Sequence, residues 1–373
     1  MALFRNLALA VTSAAALCAA PLAARPVTDC PLRDAPFSID SPLIDIFLSP
    51  QASDATNTAL GGLFEKLQPT LASTKTPTFS AIITLRSLGD QLKPEALAAL
   101  DAQLRKLPVT PADKVARCAR YDNDVPRLDL APGKPRILLF EKINGFKDAP
   151  SVNAAHEAFI AMARRKGWSI VSTESGGAFN SATLARFDVV IWNNISGDVL
   201  SLSQRKAFQK FLTRGGGFIA VHGSAGDPAY FWDWYADKLI GARFKAHPMN
   251  PQFQEARIIV DKAHPLARVL PADWRMTDEW YSFTTNPRAN GAKVLLTLDE
   301  STYSPVGPKG VDLRMSDHPI AWTNCIGKGR MFYSAIGHRP EAYSQPEHVA
   351  LLEEAITWAA DQKPKRAAGS CTF

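Results

Sequence analysis

The chain has 373 residues, 46% hydrophobic and 21% charged, the make-up of an ordinary globular protein with a sizeable core. Its formal charge of +6 is not gathered into a basic stripe with interleaved aromatics, which argues against a nucleic-acid partner. Beyond the first residues, no run is long and apolar enough to be read as a transmembrane segment.

The chain starts MALFRNLALAVTSAAALCAAPLAARP. One basic residue (Arg5), an alanine-rich apolar run and the small residues Ala23 and Ala24 read as a secretory leader, residues 1–24, cleaved after Ala24. The expected location is therefore periplasmic or secreted. Lipoprotein processing at Cys18 is disfavoured, because Leu17 stands where a small residue is wanted. Losing Arg5 with the leader leaves +5, part of it in the basic tail 363–373 with Lys363, Lys365 and Arg366. In an oxidising compartment Cys30, Cys118, Cys325 and Cys371 permit three pairings. Cys30 and Cys118 bracket one N-terminal region and are the first choice. Cys325 lies in an apolar strand pattern and reads as a buried free thiol.

Residues 25–133 carry apolar residues three and four apart with prolines at helix starts, the pattern of a small helical layer. PLIDIFL, ALGGLFEKLQPTL, TFSAIITLRSLGDQL and PEALAALDAQLRKL are its segments, and Thr110-Pro111 opens one more helix carrying Cys118. Nothing in this layer has catalytic spacing, so it is expected to pack on the main domain or shape the rim of its site. DVPRLDLAPGKP is the linker.

From residue 134 to 362 the pattern changes to alternating strands and helices. RILLFE, WSIVST, ARFDVVIWNN and GFIAVH read as strands. SVNAAHEAFIAMARRKG is an amphipathic helix stopped by Gly167, and Ser203 is the expected cap of SQRKAFQKFLTRGGG. EARIIVD, AKVLLTLDE and a hairpin turned at Gly327-Lys328-Gly329 follow, then the closing helix HVALLEEAITWAA. The alternation implies a doubly wound parallel sheet, and such sheets hold ligands at the carboxyl ends of their strands. His222 and the Asn193-Asn194 pair fall at such ends.

GGGFIAVHGSAG, WDWYADKLIGARFKAHP, DKAHPLARVLPADWRMTDEWYSF, NPRANGAKVLLTLDESTY, DHPIAWTNCIGKGRMFYSAIGHRPEAY and AITWAA resemble, in order and spacing, the trehalose-utilisation (ThuA-like) family over roughly residues 136–360. The resemblance implies an α/β fold of the flavodoxin-like, class I glutamine amidotransferase-like kind, with residues 25–133 as a helical N-terminal extension outside it. It also implies work on trehalose or an oxidised, 3-keto disaccharide. In amidotransferases the strand-end elbow holds a cysteine nucleophile. Here that place is taken by His222, whose imidazole suits proton transfer or metal ligation, so thiol-dependent amide hydrolysis is disfavoured.

The residues that carry the expected chemistry are His222, His338 and His247, with the carboxylates Asp278, Glu279 and Asp227. His222 and His338 each end an apolar strand beside glycine; the plain alternative for His222 is an imidazole satisfied by a neighbouring carbonyl. His247 is held extended before Pro248. Asp227 is placed to orient His222, and Glu279 or His222 to act as a base. His222, His247 and His338 are the candidate ligands of a divalent metal, although no motif of diagnostic metal spacing is present. Trp280, Tyr281, Asn193 and Ser224 are candidate substrate contacts. His264 and His318 read as turn residues, and His156 and His348 as solvent-facing or capping.

Three functions compete. The first is an exported enzyme of carbohydrate catabolism that removes a proton beside a sugar carbonyl and stabilises the resulting enediolate. The second is a non-catalytic carbohydrate-binding protein. The third, an amidohydrolase working through Ser224, ranks last because Ser224 is two residues past the elbow. A small-molecule sugar is the expected partner in the first two.

Overall fold

The computed structural model describes residues 26–91 and 93–361; the leader, the basic tail and Cys371 lie outside the described residues. The N-terminal part contains five short helices: α1 (Leu43–Phe47), α2 (Pro50–Ala59), α3 (Pro69–Ala72), α4 (Pro94–Leu104) and α5 (Pro111–Cys118). Proline opens the last four, where its fixed φ is already helical and no N–H is lost. ALGGLFEKLQPTL is not the continuous helix its spacing predicts. Gly61 and Gly62 take φ of +59° and +74° and end α2. TFSAIITLRSLGDQL likewise forms only short 3-10 turns at Phe79–Ala81 and Arg86–Gln91. Phe37, Leu43, Ile46, Leu85, Leu100 and Leu104 close these pieces over a small apolar cluster of their own.

Cys30 and Cys118 are disulfide-bonded across 88 residues. Cys325 is disulfide-bonded too, which corrects its reading as a free thiol. It sits half-buried near the hairpin turn, past the fully buried part of its strand.

Eleven strands follow: β1 (Arg136–Phe140), β2 (Ser169–Thr173), β3 (Val189–Asn193), β4 (Gly217–Val221), β5 (Phe244–Ala246), β6 (Phe253–Val260), β7 (Asp273–Glu279), β8 (Ser282–Phe283), β9 (Lys293–Leu298), β10 (Pro319–Ile326) and β11 (Gly329–Ser334). Nine form one sheet in the order β2-β1-β3-β4-β11-β10-β9-β6-β7, and β5 pairs with β8. The first five in that order are parallel, and every later pairing in the sheet is antiparallel. β3, β4 and β11 are buried along their whole length, as interior strands covered on both faces must be. The alternating pattern thus predicts the parallel half and misses that the later strands return as an antiparallel wing.

The remaining α-helices among the described residues are α6 (Ala149–Lys166), α7 (Ser181–Leu184), α8 (Leu202–Thr213) and α9 (Pro346–Ala360). Gly167 ends α6 at φ +70°. The cap of α8 is Ser201, whose backbone N–H donates to Gln204 Oε1 at 2.9 Å, in place of the expected Ser203. α9 packs on β3, β4 and β11. Its His348, expected to be solvent-facing or capping, is fully buried, which excludes the solvent-facing alternative.

β6 and β7 pair from Phe253↔Glu279 to Ile259↔Asp273, while β9 reaches β6 only at Ile258–Val260. The Phe253 end of this pair therefore overhangs the rest of the sheet. In a flat sheet β7 would lie five strand spacings from β4, about 24 Å. Glu279 nevertheless stands 3.3 Å from His222, so the overhanging pair curls back over the ends of the parallel strands.

Candidate functional site

His222 is the first residue after β4 and takes φ +34°, a left-handed conformation that non-glycine residues rarely adopt. Such strain costs about 1–3 kcal/mol and is held only where neighbours over-determine it. Gly223 N donates to Asn194 Oδ1 (3.1 Å), and Tyr333 Oη donates to the His222 carbonyl (2.9 Å). The bend turns the imidazole away from the strand direction. Its Nδ1 lies 2.7 Å from the Ala335 carbonyl, which can only accept, so Nδ1 carries the proton. The carbonyl-satisfied alternative is thus half right: Nε2 is buried and has no hydrogen-bond partner.

What Nε2 faces is the Glu279 carboxylate, with Oε2 at 3.3 Å. Glu279 is the hub of the site. His338 Nδ1 lies 2.9 Å from Oε2, and His247 Nδ1 lies 3.1 Å from Oε1. Gln252 Nε2 donates to Oε1 at 2.5 Å. Burial works to raise the Glu279 pKa, but His222, His338 and His247 outweigh it and hold the carboxyl well below the usual range. For His338 burial disfavours the charged ring, Glu279 overcomes this, and its pKa is raised.

Asp278, the preceding residue, does a different job. Its two oxygens accept from the backbone N–H of Glu279 (2.8 Å), Gly337 (2.7 Å), His338 (3.2 Å) and Arg339 (3.1 Å). Wholly buried, it ties the chain after β11 to the end of β7 and so sets where His338 stands. Gly337 at that crossing takes φ +134°, and a Cβ there would meet Tyr343 Oη at 2.3 Å. Ser151 near the start of α6 donates to the His338 carbonyl from the other side.

Of the expected site residues, His222, His247, Glu279 and His338 meet around one carboxylate, and the Tyr281 ring lies 4.2 Å from that of His222. The others do not join them. Asp227 does not orient His222: its carboxylate accepts from Ser196 Oγ (2.6 Å) and Gly197 N (2.7 Å), and burial pushes its pKa up to about 7. Ser224 Oγ donates to the Trp192 carbonyl (3.1 Å) and accepts from the Ile195 N–H (3.1 Å), away from the three imidazoles. Asn193 donates to Glu141 and the Val152 carbonyl and is fully buried. Trp280 is buried with Nε1 on the Gln254 carbonyl, so of the two expected aromatics Tyr281 is the one beside the imidazoles. Sequence reasoning missed Gln252, which follows a turn with no distinctive pattern, and the Ala335 carbonyl, which no side-chain pattern announces.

Among the described residues, ligand atoms of His222, Glu279 and His338 lie within 4.8 Å of one another. With Nδ1 protonated, the lone pair of His222 Nε2 faces a carboxylate oxygen. Two electron-rich atoms at 3.3 Å are stable there only with positive charge between them, a proton on Nε2 or a cation. The two-imidazole, one-carboxylate donor set fits a divalent transition metal.

A mixed α/β sheet that folds an acidic wing over its strand ends to enclose three imidazoles defines the class: an α/β protein with a histidine–carboxylate centre. Within that class the chain belongs to the ThuA family, described as trehalose utilisation, which it matches over residues 136–359. A solved ThuA-like protein from Bacteroides uniformis is similar at 26% identity and TM-score 0.54, covering 63% of this chain and 96% of that one. A second, from Parabacteroides merdae, shares 18% identity at TM-score 0.47 and covers 63% and 93%. None of the curated proteins matches the chain.

Proposed function

We propose that the protein is an exported enzyme of carbohydrate catabolism that acts on trehalose or a 3-keto disaccharide, built on a flavodoxin-like, doubly wound core with a helical N-terminal extension. The observation that carries this reading is the Glu279 carboxylate at the centre of three strand-end imidazoles in a chain of the trehalose-utilisation family. Glu279 accepts from His338 Nδ1, which fixes the tautomer and leaves Nε2 as the lone pair able to take a proton beside a sugar carbonyl. The raised His338 pKa strengthens that base. Were a divalent cation held by His222, Glu279 and His338, the His338 lone pair would be its ligand and not the base, and the cation would supply charge stabilisation for an enediolate oxygen. His247 and His338 are only partly buried, so a substrate approaches from their side.

Turnover of a 3-keto disaccharide by the purified protein tests this, with metal content measured on the same sample. Glu279→Gln and His338→Ala are each expected to lower kcat by about 10²–10⁴-fold while the fold is retained. Sugar binding without turnover in the wild-type protein would instead establish the non-catalytic carbohydrate-binding function. The intact mass of the exported protein is expected to correspond to a chain starting at Arg25.

A further inference from the structure

His338 is flanked by two exposed aromatic rings. Phe146 and Phe253 are 38% and 39% exposed, and their centroids lie 6.1 and 5.2 Å from that of His338. Exposed rings beside a candidate catalytic group call for a ligand face to cover them. Phe146 also has a neighbour from outside the family-matched residues: the Phe79 ring, 5.0 Å away and tilted by 32°. Phe79 is rooted on the N-terminal apolar cluster, and Thr78 N donates to the Asn144 carbonyl at 3.0 Å, which ties the two segments together.

Between these segments opens a cleft of about 580 Å³, lined by Thr70, Ser73, Pro77, Phe79, Phe146 and Lys147 among others. The size suits a small-molecule site, for which about 300–1,000 Å³ is usual. Two aromatic rings form its wall, and hydroxyls with one ammonium stand at its rim. That combination stacks on the C–H face of a pyranose and hydrogen-bonds the hydroxyls around its edge. The histidine–carboxylate centre alone offers little surface, since His222 and Glu279 are 3% and 1% exposed. Binding strength must therefore come from a part of the ligand that does not react.

We propose that the cleft walled by Phe79 and Phe146 together is a second sugar-ring subsite, so that the ligand is a disaccharide with its reacting ring at His338 and its other ring stacked on Phe146. This rests on the carbohydrate reading above and assigns to the N-terminal region a direct part in binding. Calorimetric titration of the full chain with trehalose and with glucose tests it. Wild type is expected to bind trehalose about tenfold or more tighter than glucose. Thr70→Trp, which fills the cleft from an exposed position, should erase most of that difference and leave glucose affinity unchanged, and Phe146→Ala, which also borders His338, should weaken trehalose far more than glucose. Equal affinity of wild type for the two sugars, or variants that weaken both sugars alike, would overturn the subsite and leave the carbohydrate reading standing. Binding of neither sugar by wild type would overturn both.

Discussion

Single residues in this protein are set by what their hydrogen bonds leave over. His222 and His348 are both buried imidazoles, yet only His222 has an unmatched nitrogen. His348 Nδ1 faces the Ala342 carbonyl and Nε2 faces Ser334 Oγ, so both ring nitrogens have partners. Burial lowers its pKa to about 4. A histidine with a depressed folded pKa binds fewer protons folded than unfolded between pH 4 and 6.5. Its stabilisation is present above the unfolded value near 6.5 and is lost as pH falls toward 4. His348 alone is expected to remove about 3 kcal/mol of stability between pH 7 and pH 4. Urea unfolding at a series of pH values checks this. His348→Gln should flatten the slope, and an unchanged slope would show that the ring titrates normally.

At the scale of elements, the site depends on one strand end holding another chain segment. Asp278 is on β7, and three of its four partners lie in residues 337–339, so its role is to position rather than to react. Asp278→Asn replaces one accepting oxygen with an NH₂ group that opposes a backbone N–H. The expected cost is about 1–3 kcal/mol in unfolding free energy. The His338 ring resonances should also shift, a change that generalised loosening elsewhere would not produce. Native stability together with unmoved His338 resonances would show that the clamp is not needed. The sequence discloses these elements unevenly. Strand ends at His222 and His338 are legible because an apolar run stops at glycine. TDEWYSF is not: acids ahead of aromatics suit a helix start as well as a strand, and only pairing with Phe253–Val260 makes it β7. Nor does local pattern reveal that this edge strand curls back, since curvature belongs to the sheet and not to any window of residues.

For the whole molecule, periodicity sets the short helices between Leu43 and Cys118 apart from the strands that start at Arg136, while the contacts that join that N-terminal layer to the sheet cannot be read from it. One tie across that division is plain: Asp29 accepts from Ser203 N–H at 2.8 Å beside the start of α8, whereas the Cys30–Cys118 disulfide lies wholly within the N-terminal layer. A cross-link over 88 residues removes a large loop from the unfolded ensemble. The double variant Cys30→Ser, Cys118→Ser is expected to lose roughly 2–4 kcal/mol in denaturant unfolding. A midpoint equal to wild type would mean that the layer is held by its apolar cluster alone.

The overhang of β6 and β7 has a kinetic meaning. Glu279 reaches the parallel strands only while the wing is curled, and its ring partners sit 57 and 59 residues away along the chain. A brief uncurling would dismantle the centre while the parallel core stayed intact, a sub-global opening of the kind amide exchange detects. The N–H groups of Gly337, His338 and Arg339, capped by Asp278 only in the curled state, would then exchange at the rate of that opening. Whatever settles against Glu279 would slow them, so the three amides act as a clock for occupancy.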